Sequence, residues 1–269
     1  MRTSSRPRAG RGRHAAVAAL LCAAVAAGAA ACGPSPDDAK ASGSPAEPTG
    51  SARAKASGPF GELTGSQIVD KAFAATRAAK SLTLDIDLRS AGEPTKGYLS
   101  LDSRGKCVGT LSLGTASTAE LLKADDRDVY LRFDEAFLRE QVKGESPEQQ
   151  EATLDQFRGR WTKMPLSDPD AEDMTALCDL ESLLSSFDGG ASGIVKGGET
   201  TVGGRKALAL TEPAGGGETS TVYVATEGTP YVLRIVTTGG DEPGTITFSR
   251  FGRPVVAKAP AAKDVVVTE

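Results

Sequence analysis

The stretch Leu82-Thr83-Leu84-Asp85-Ile86-Asp87-Leu88 decides the fold of this 269-residue chain, because apolar and polar residues alternate along it without a break. Such alternation is typical of a β-strand that buries one face and leaves the other in water. Just before it, from about 65 to 80, apolar side chains recur at helical spacing, and Thr64 stands where a helix N-cap belongs. The chain therefore predicts a helix that leads directly into a half-buried strand.

Two further groups of strands are predicted, separated by a helical section. Alternating patterns predict strands at about 96–103, 106–113, 118–125 and 127–133, and again at about 193–200, 204–212, 219–227, 230–238 and 244–251. Between the groups, helices are predicted at Glu135–Lys143, at Pro147–Arg158 and along an apolar stripe from Met174 to Phe187, with a short extended piece at Trp161. This order predicts the α+β class, with about ten antiparallel strands, an N-terminal helix and a helical insert.

The N-terminal 31 residues have the layout of a signal peptide. Five arginines lie within residues 2–13, and the 17 residues from Ala15 to Ala31 carry no charge. That run is short and rich in alanine, whereas a spanning helix needs about 20 strongly apolar residues. The segment Ala29-Ala30-Ala31-Cys32-Gly33 then resembles a bacterial lipobox, which implies that Cys32 is lipidated with a diacylglyceryl group and begins the mature chain. An ordinary secreted protein with a cysteine at the cut site is the alternative.

The mature chain is predicted to divide into a tether and one domain. Residues 32–59 contain much Ser, Ala and Pro and no large apolar side chain, so they predict a lipidated flexible tether. Residues 60–269 suit a single folded domain. Loss of the five signal arginines leaves 26 basic against 35 acidic residues, a formal charge of −9. This acidity argues against nucleic acid as an electrostatic partner.

The cysteines predict a structural bond. Cys22 leaves with the signal and Cys32 is the acylation site, so Cys107 and Cys178 remain as an even pair in an oxidising compartment. A disulfide between them is predicted, with two buried free thiols as the alternative.

The titratable residues do not predict catalysis. The one histidine, His14, lies in the signal, so neither a Ser-His-Asp arrangement nor a His-ligated metal site is expected, and no cofactor is predicted. Ser103-Arg104-Gly105-Lys106 matches the Ser-x-x-Lys motif, but it lies between two strand patterns and predicts a hairpin turn. Asp85 with Asp87, and Asp125-Asp126 with Asp128, are read as solvated residues rather than as a catalytic pair. We therefore expect no enzyme activity.

The order of elements resembles the LolA-like half-barrel bacterial lipoproteins, in particular the LppX/LprG-type group. Besides the opening helix and the Leu82–Leu88 strand, the matching segments are Cys107-Val108-Gly109, Asp128-Val129-Tyr130-Leu131, Gly159-Arg160-Trp161, Gly228-Thr229-Pro230-Tyr231 and Phe251-Gly252-Arg253-Pro254-Val255. The resemblance implies a curved antiparallel sheet, a half-barrel, that wraps the helices and accepts acyl chains between sheet and helices. It also implies lipids or lipoglycans as ligands, held by a diffuse apolar lining rather than by a motif.

The candidate lining consists of apolar residues on the predicted inner face of the sheet. They are Leu82, Leu84, Ile86, Leu88, Leu99, Leu101, Leu111, Leu121 and Leu233. The same residues could instead simply pack the helices. Thr219, Thr221, Thr245 and Thr247 are also expected on the inner face, which would make the cavity small or closed.

The resulting hypothesis is a non-catalytic carrier or chaperone that binds lipidic or acylated molecules in the cell envelope. The lipid anchor on Cys32 would hold it at the outer face of the bacterial cytoplasmic membrane. The alternative hypothesis is a non-catalytic envelope interaction or sensory module with a dry core and no ligand.

Overall fold

A computed structural model describes residues 59–89, 94–185, 193–213, 215–241 and 243–267. The predicted signal peptide, the lipidation site Cys32 and the tether up to residue 58 lie outside the described residues.

The first helix, α1 (Gly65–Arg77), begins at the predicted N-cap. The Thr64 hydroxyl accepts a hydrogen bond from the Gln67 backbone N–H at 3.2 Å, and the Gln67 side chain accepts one from the Thr64 N–H at 2.8 Å. This reciprocal capping box satisfies two N–H groups that would otherwise lack partners at the start of the helix. The helix buries Ile68, Val69, Ala72 and Phe73, the face that the helical spacing predicted.

Two antiparallel meanders build the sheet. The first consists of β1 (Ser81–Arg89), β2 (Pro94–Asp102), β3 (Cys107–Leu113), β4 (Ser117–Lys123), β5 (Asp128–Phe133) and β6 (Trp161–Pro165). The second consists of β7 (Val195–Val202), β8 (Arg205–Pro213), β9 (Thr219–Ala225), β10 (Val232–Thr238) and β11 (Gly244–Ser249). All of the strands predicted from alternation are present, and the extended piece at Trp161 is strand β6.

Pairing of β1 with β11 joins the two meanders into one curved sheet that does not close on itself. A short strand, β12 (Val265–Val267), adds in parallel to β6, so the described residues form a 12-stranded sheet whose edges are β12 and β7. The α+β half-barrel class predicted from the sequence is confirmed, with two strands more than the predicted ten.

The helical section, which occupies the connections from β5 to β6 and from β6 to β7, is more broken than its sequence predicted. Helices α2 (Glu135–Gln141) and α3 (Pro147–Phe157) agree with their predicted positions. The single helix predicted up to Phe187 is wrong, because the chain forms α4 (Pro169–Thr175), a 3₁₀ turn at Ala176–Cys178 and then α5 (Leu180–Ser185). Phe187 itself lies outside the described residues.

The prediction that four threonines face inward is wrong. Ile246 and Phe248 of β11 belong to the core, so Thr245 and Thr247, which alternate with them, lie on the opposite face. Likewise, Val222 and Val224 of β9 belong to the core and place Thr219 and Thr221 on the outer face. The inner face is therefore more apolar than the sequence pattern suggested.

Candidate functional site

A row of small and apolar residues crosses the inner face of the sheet from one meander to the other. In register order it contains Leu210, Val222, Ile235, Ile246, Ile86, Gly97, Leu111, Ala119 and Phe133, one from each of nine neighbouring strands. Alternation in every strand sends these residues to the same side. The row gives the half-barrel a continuous apolar inner face.

The structure brings eight of the nine candidate lining residues to this inner face. Leu82, Leu84, Ile86, Leu99, Leu101, Leu111 and Leu121 are buried members of one core cluster, and Leu88 packs against it while partly exposed. Leu233 does not join them, because it lies in a separate cluster with Val202, Ala207 and Ala225. The reason is a β-bulge between Val232 and Arg234, where Val232 faces the main core and its neighbour Leu233 faces away.

Helices cover this face in two different ways. Helix α1 buries a full stripe against it and is also bonded to the sheet, because the buried Thr76 hydroxyl accepts a hydrogen bond from the Val232 N–H at 2.9 Å. The segment from Pro169 to Ser185, here called the lid, buries only Ala171, Cys178 and Leu184. Its larger apolar residues are partly buried against the core; they are Met174, Leu177, Leu180 and Leu183. Helix α1 is therefore closely packed against the inner face, whereas the lid contacts it mainly through partly buried side chains.

A disulfide bond ties the lid to the sheet. Cys107, the first residue of β3, is bonded to Cys178 in the 3₁₀ turn of the lid, with the two Cα atoms 5.7 Å apart. The bond predicted from the cysteine count is therefore present. It fixes the middle of the lid, while the segments on either side depend on side-chain packing.

Two clefts flank the lid, each with a volume of about 510 Å³. The first, here called the charged cleft, lies where the end of α1, the β2–β3 turn and the lid meet, and its lining includes Arg77, Lys123, Asp126 and Glu181. The second, here called the apolar cleft, lies between α2, the lid and the ends of β2 to β4. Its apolar lining residues are Pro94, Leu111, Phe137, Met174 and Leu177.

Few of the candidate lining residues reach open space. Leu101 borders the charged cleft and Leu111 borders the apolar cleft. Leu82, Leu84, Ile86, Leu99 and Leu121 are at most 1% exposed. In this conformation these five side chains pack against the helices. A ligand can therefore first contact the inner face only at the clefts.

The two cations of the charged cleft, Arg77 and Lys123, have partners within the protein. The Lys123 ammonium, on a side chain that is 12% exposed, donates to Asp126 Oδ1 at 2.6 Å and to the Gly105 carbonyl at 2.9 Å. Arg77 donates to the Leu184 carbonyl at 3.3 Å and lies 3.6 Å from Glu181. Hydrogen bonds, first of all from the Ser182 N–H, hold the pKa of Asp179 below its usual range. This cleft is therefore built as an internal ion-pair network rather than as an open anion site.

The residues considered for catalysis adopt structural roles. The segment from Ser103 to Lys106 forms the predicted hairpin turn, in which Asp102 Oδ1 accepts hydrogen bonds from the backbone N–H groups of Arg104 and Lys106. Its serine and lysine therefore do not share a helical turn, as Ser-x-x-Lys chemistry needs. In the described residues, no three His, Cys, Asp or Glu side chains are grouped so that they could hold a metal ion.

Four of the five acidic residues considered as carboxylate pairs are engaged with cations. Asp87 faces Lys96, with the two charged groups 3.3 Å apart. In the second group, Asp125 pairs with Arg127, Asp126 with Lys123, and Asp128 with Lys163, at 2.6 to 3.2 Å. A hydrogen bond from the Arg127 N–H is the main cause that lowers the pKa of Asp125. These pairs act as surface ion pairs of the strands and turns.

Within the stretches that the structure describes, no helix is both long enough and apolar enough to cross a membrane. No protein-family model matches the chain. No curated protein matches it either.

The chain is similar to solved structures of two mycobacterial proteins. LprF from Mycobacterium bovis matches with a TM-score of 0.51 and 15% identity, over 74% of this chain and 97% of that chain. The lipoprotein LppX from Mycobacterium tuberculosis matches with a TM-score of 0.47 and 13% identity, over 71% of this chain and 96% of that chain. At such identities the likeness concerns the fold alone, and it agrees with the resemblance drawn from the order of elements. The chain thus has the curved half-barrel fold seen in LprF.

Proposed function

We propose that this chain is an exported lipoprotein, anchored by Cys32 at the outer face of the cytoplasmic membrane, that carries or chaperones lipidic or acylated molecules. It would bind them without catalysing a reaction. The resemblance to half-barrel lipoproteins and the lipobox-like segment at Cys32 support the proposal, and the fold agrees with it.

The observation that carries the proposal is an apolar inner face covered by a lid that buries few of its own residues. The row of inner-face residues spans nine strands, yet the lid over it consists of two helices of seven and six residues joined by a 3₁₀ turn. Burial of an acyl chain against such a face contributes about 25 cal/mol per Å² of apolar surface removed from water. An acyl chain that entered at a cleft would replace the contacts that partly buried lid residues, such as Met174 and Leu177, now make with the core.

Native mass spectrometry of the mature protein, purified without strong detergent, tests this function. We expect a population that is heavier than the lipidated polypeptide and that releases an acylated molecule when the protein is denatured. A homogeneous mass, equal to that of the lipidated chain in preparations from several growth conditions, would contradict the carrier function.

The second candidate is a non-catalytic interaction or sensory module of the envelope. The specific observation in its favour is the burial of Leu84 and Leu99, which are 0% exposed and behave as ordinary core residues. In that case the lid would stay closed, and no acylated molecule would co-purify with the protein.

A further inference from the structure

The apolar cleft combines an apolar floor with an acidic rim. Leu111 connects its floor to the row of inner-face residues, and Phe137, Met174 and Leu177 form its walls. The charged residues that line it in the described part of the chain are both acidic, Glu140 and Asp173. Lys143 bonds to Glu140 at 2.9 Å, but it is not itself part of the lining.

The charge of this rim bears on the kind of headgroup that the cleft could accept. Carboxylates accept hydrogen bonds and repel phosphate or carboxylate groups, so Glu140 and Asp173 favour a partner that offers hydroxyl donors. The polar neutral residues of the lining, among them Gln141 and Ser117, can add hydrogen bonds to such a headgroup.

The size of the cleft limits the apolar part of the ligand. Its volume of about 510 Å³ lies within the range of roughly 300 to 1,000 Å³ that is typical of sites for small ligands. Cys178 is tied to the sheet and limits how far the lid can withdraw. These features fit one acyl chain better than several.

We infer that the apolar cleft binds a single-chain amphiphile whose headgroup carries hydroxyl groups and no negative charge. This inference rests on the proposed function, since it names the ligand class and the place of entry on the same inner face. Monopalmitoylglycerol is a probe of this class, and palmitoyl lysophosphatidylglycerol is its anionic counterpart with the same chain.

Displacement of the neutral apolar dye N-phenyl-1-naphthylamine from the mature protein compares the two probes below their micelle-forming concentrations. We expect monopalmitoylglycerol to displace the dye at a concentration about tenfold lower, because the rim carboxylates disfavour the phosphate. In the double variant Glu140→Lys with Asp173→Lys this preference should disappear or reverse. The matched control, Asp70→Lys with Glu199→Lys, makes the same change in net charge at exposed residues outside the lining and should keep the preference.

A second pair of variants shows which cleft holds the acyl chain of the ligand. Ser117→Trp fills the apolar cleft and should weaken displacement by monopalmitoylglycerol about tenfold, whereas Ser103→Trp, which fills the charged cleft, should leave it unchanged. An effect of Ser103→Trp equal to or greater than that of Ser117→Trp would overturn the location.

The outcomes separate this inference from the proposed function. If acylated molecules co-purify but the lysophospholipid displaces the dye as well as monopalmitoylglycerol does, the inference fails and the carrier function stands. If the co-purifying molecules carry several acyl chains, the single-chain site is likewise overturned. If nothing acylated co-purifies and neither probe displaces the dye, the carrier function fails, and the inference fails with it.

Discussion

Gly109, in the middle of β3, lies where neighbouring strands of the curved sheet come unusually close. A Cβ atom built at this position would clash with the Tyr98 carbonyl oxygen and lie 2.9 Å from Leu99 Cα, both in β2. Real Cβ atoms do not approach backbone so closely, so any larger residue would force the two strands apart. The sequence shows a glycine inside a strand pattern, but the reason for it depends on the approach of a second strand.

Replacement of Gly109 should therefore be costly. We expect Gly109→Ala to lower the free energy of unfolding by about 3 kcal/mol, because the methyl group overpacks the contact between β2 and β3. Gly198→Ala is the matched control, since a Cβ atom at Gly198 meets nothing within 4 Å and should change stability by less than about 1 kcal/mol. Urea unfolding followed by circular dichroism measures both; similar midpoints for the two variants would show that the sheet relaxes easily at Gly109.

Element ends could be predicted where the signal is local. Thr64 and Pro147 each mark the start of a helix in the sequence and in the structure, because such signals depend on neighbouring residues. Strand β12 was missed because it has three residues, and its existence depends on pairing with the distant β6. The break between α4 and α5 was missed because it falls at Cys178, whose position is set by a bond to β3.

Asp134 shows how one cap joins two elements and makes their stability depend on pH. Its carboxylate accepts hydrogen bonds from the Phe137 N–H at the start of α2 and from the Thr118 N–H and hydroxyl in β4, at 2.7 to 2.9 Å. Partial burial alone would raise the pKa of Asp134, but these hydrogen bonds outweigh it and the pKa is lowered. A lowered pKa in the folded state means that the ionised form stabilises the fold. That stabilisation is complete above the unfolded-state pKa and is lost as the pH falls through the folded-state pKa.

We expect Asp134→Ala to lower the free energy of unfolding by about 2 kcal/mol at pH 7, the sum of a lost N-cap and lost bonds to β4. The difference from the native protein should narrow as the pH falls below about 4, because the carboxyl group then binds a proton in the unfolded protein while the native carboxylate still resists protonation. Asp134→Asn keeps an acceptor for the Phe137 N–H but no charge, so it should retain part of the stability and lose the pH dependence. Chemical unfolding at a series of pH values measures all three proteins; a difference that stays constant down to pH 3 would show that the charge of Asp134 contributes nothing.

At the scale of the whole molecule, the residues of the inner face could be predicted from the sequence, but the position of the lid that covers them could not. Eight of the nine candidate lining residues lie on one face because residues two apart in a strand share a side, and Leu233 was missed because a bulge changes that parity in β10. The openness of the face depends on where the lid lies. The lid is placed by the disulfide and by contacts between residues far apart in sequence, which no pattern within a segment predicts.

The place of the whole molecule in the envelope depends, in our proposal, on the thiol of Cys32. Two acyl chains on that thiol would each contribute about 0.8 kcal/mol per buried CH₂ group, enough for stable anchoring. A carrier held by such an anchor could take up a ligand from the membrane surface without leaving the membrane.

We therefore expect Cys32→Ser to prevent acylation and either to release the protein from membranes or to stop removal of the signal. Metabolic labelling with an alkyne fatty acid, followed by separation of membrane and soluble fractions, measures both effects. Cys22→Ser is the matched control, because Cys22 lies ahead of the predicted cut site and its loss should leave labelling and membrane association unchanged. Label retained by the Cys32→Ser protein would show that the acyl group is attached elsewhere. Label lost equally from both variants would show that the signal, rather than the thiol of Cys32, had been damaged.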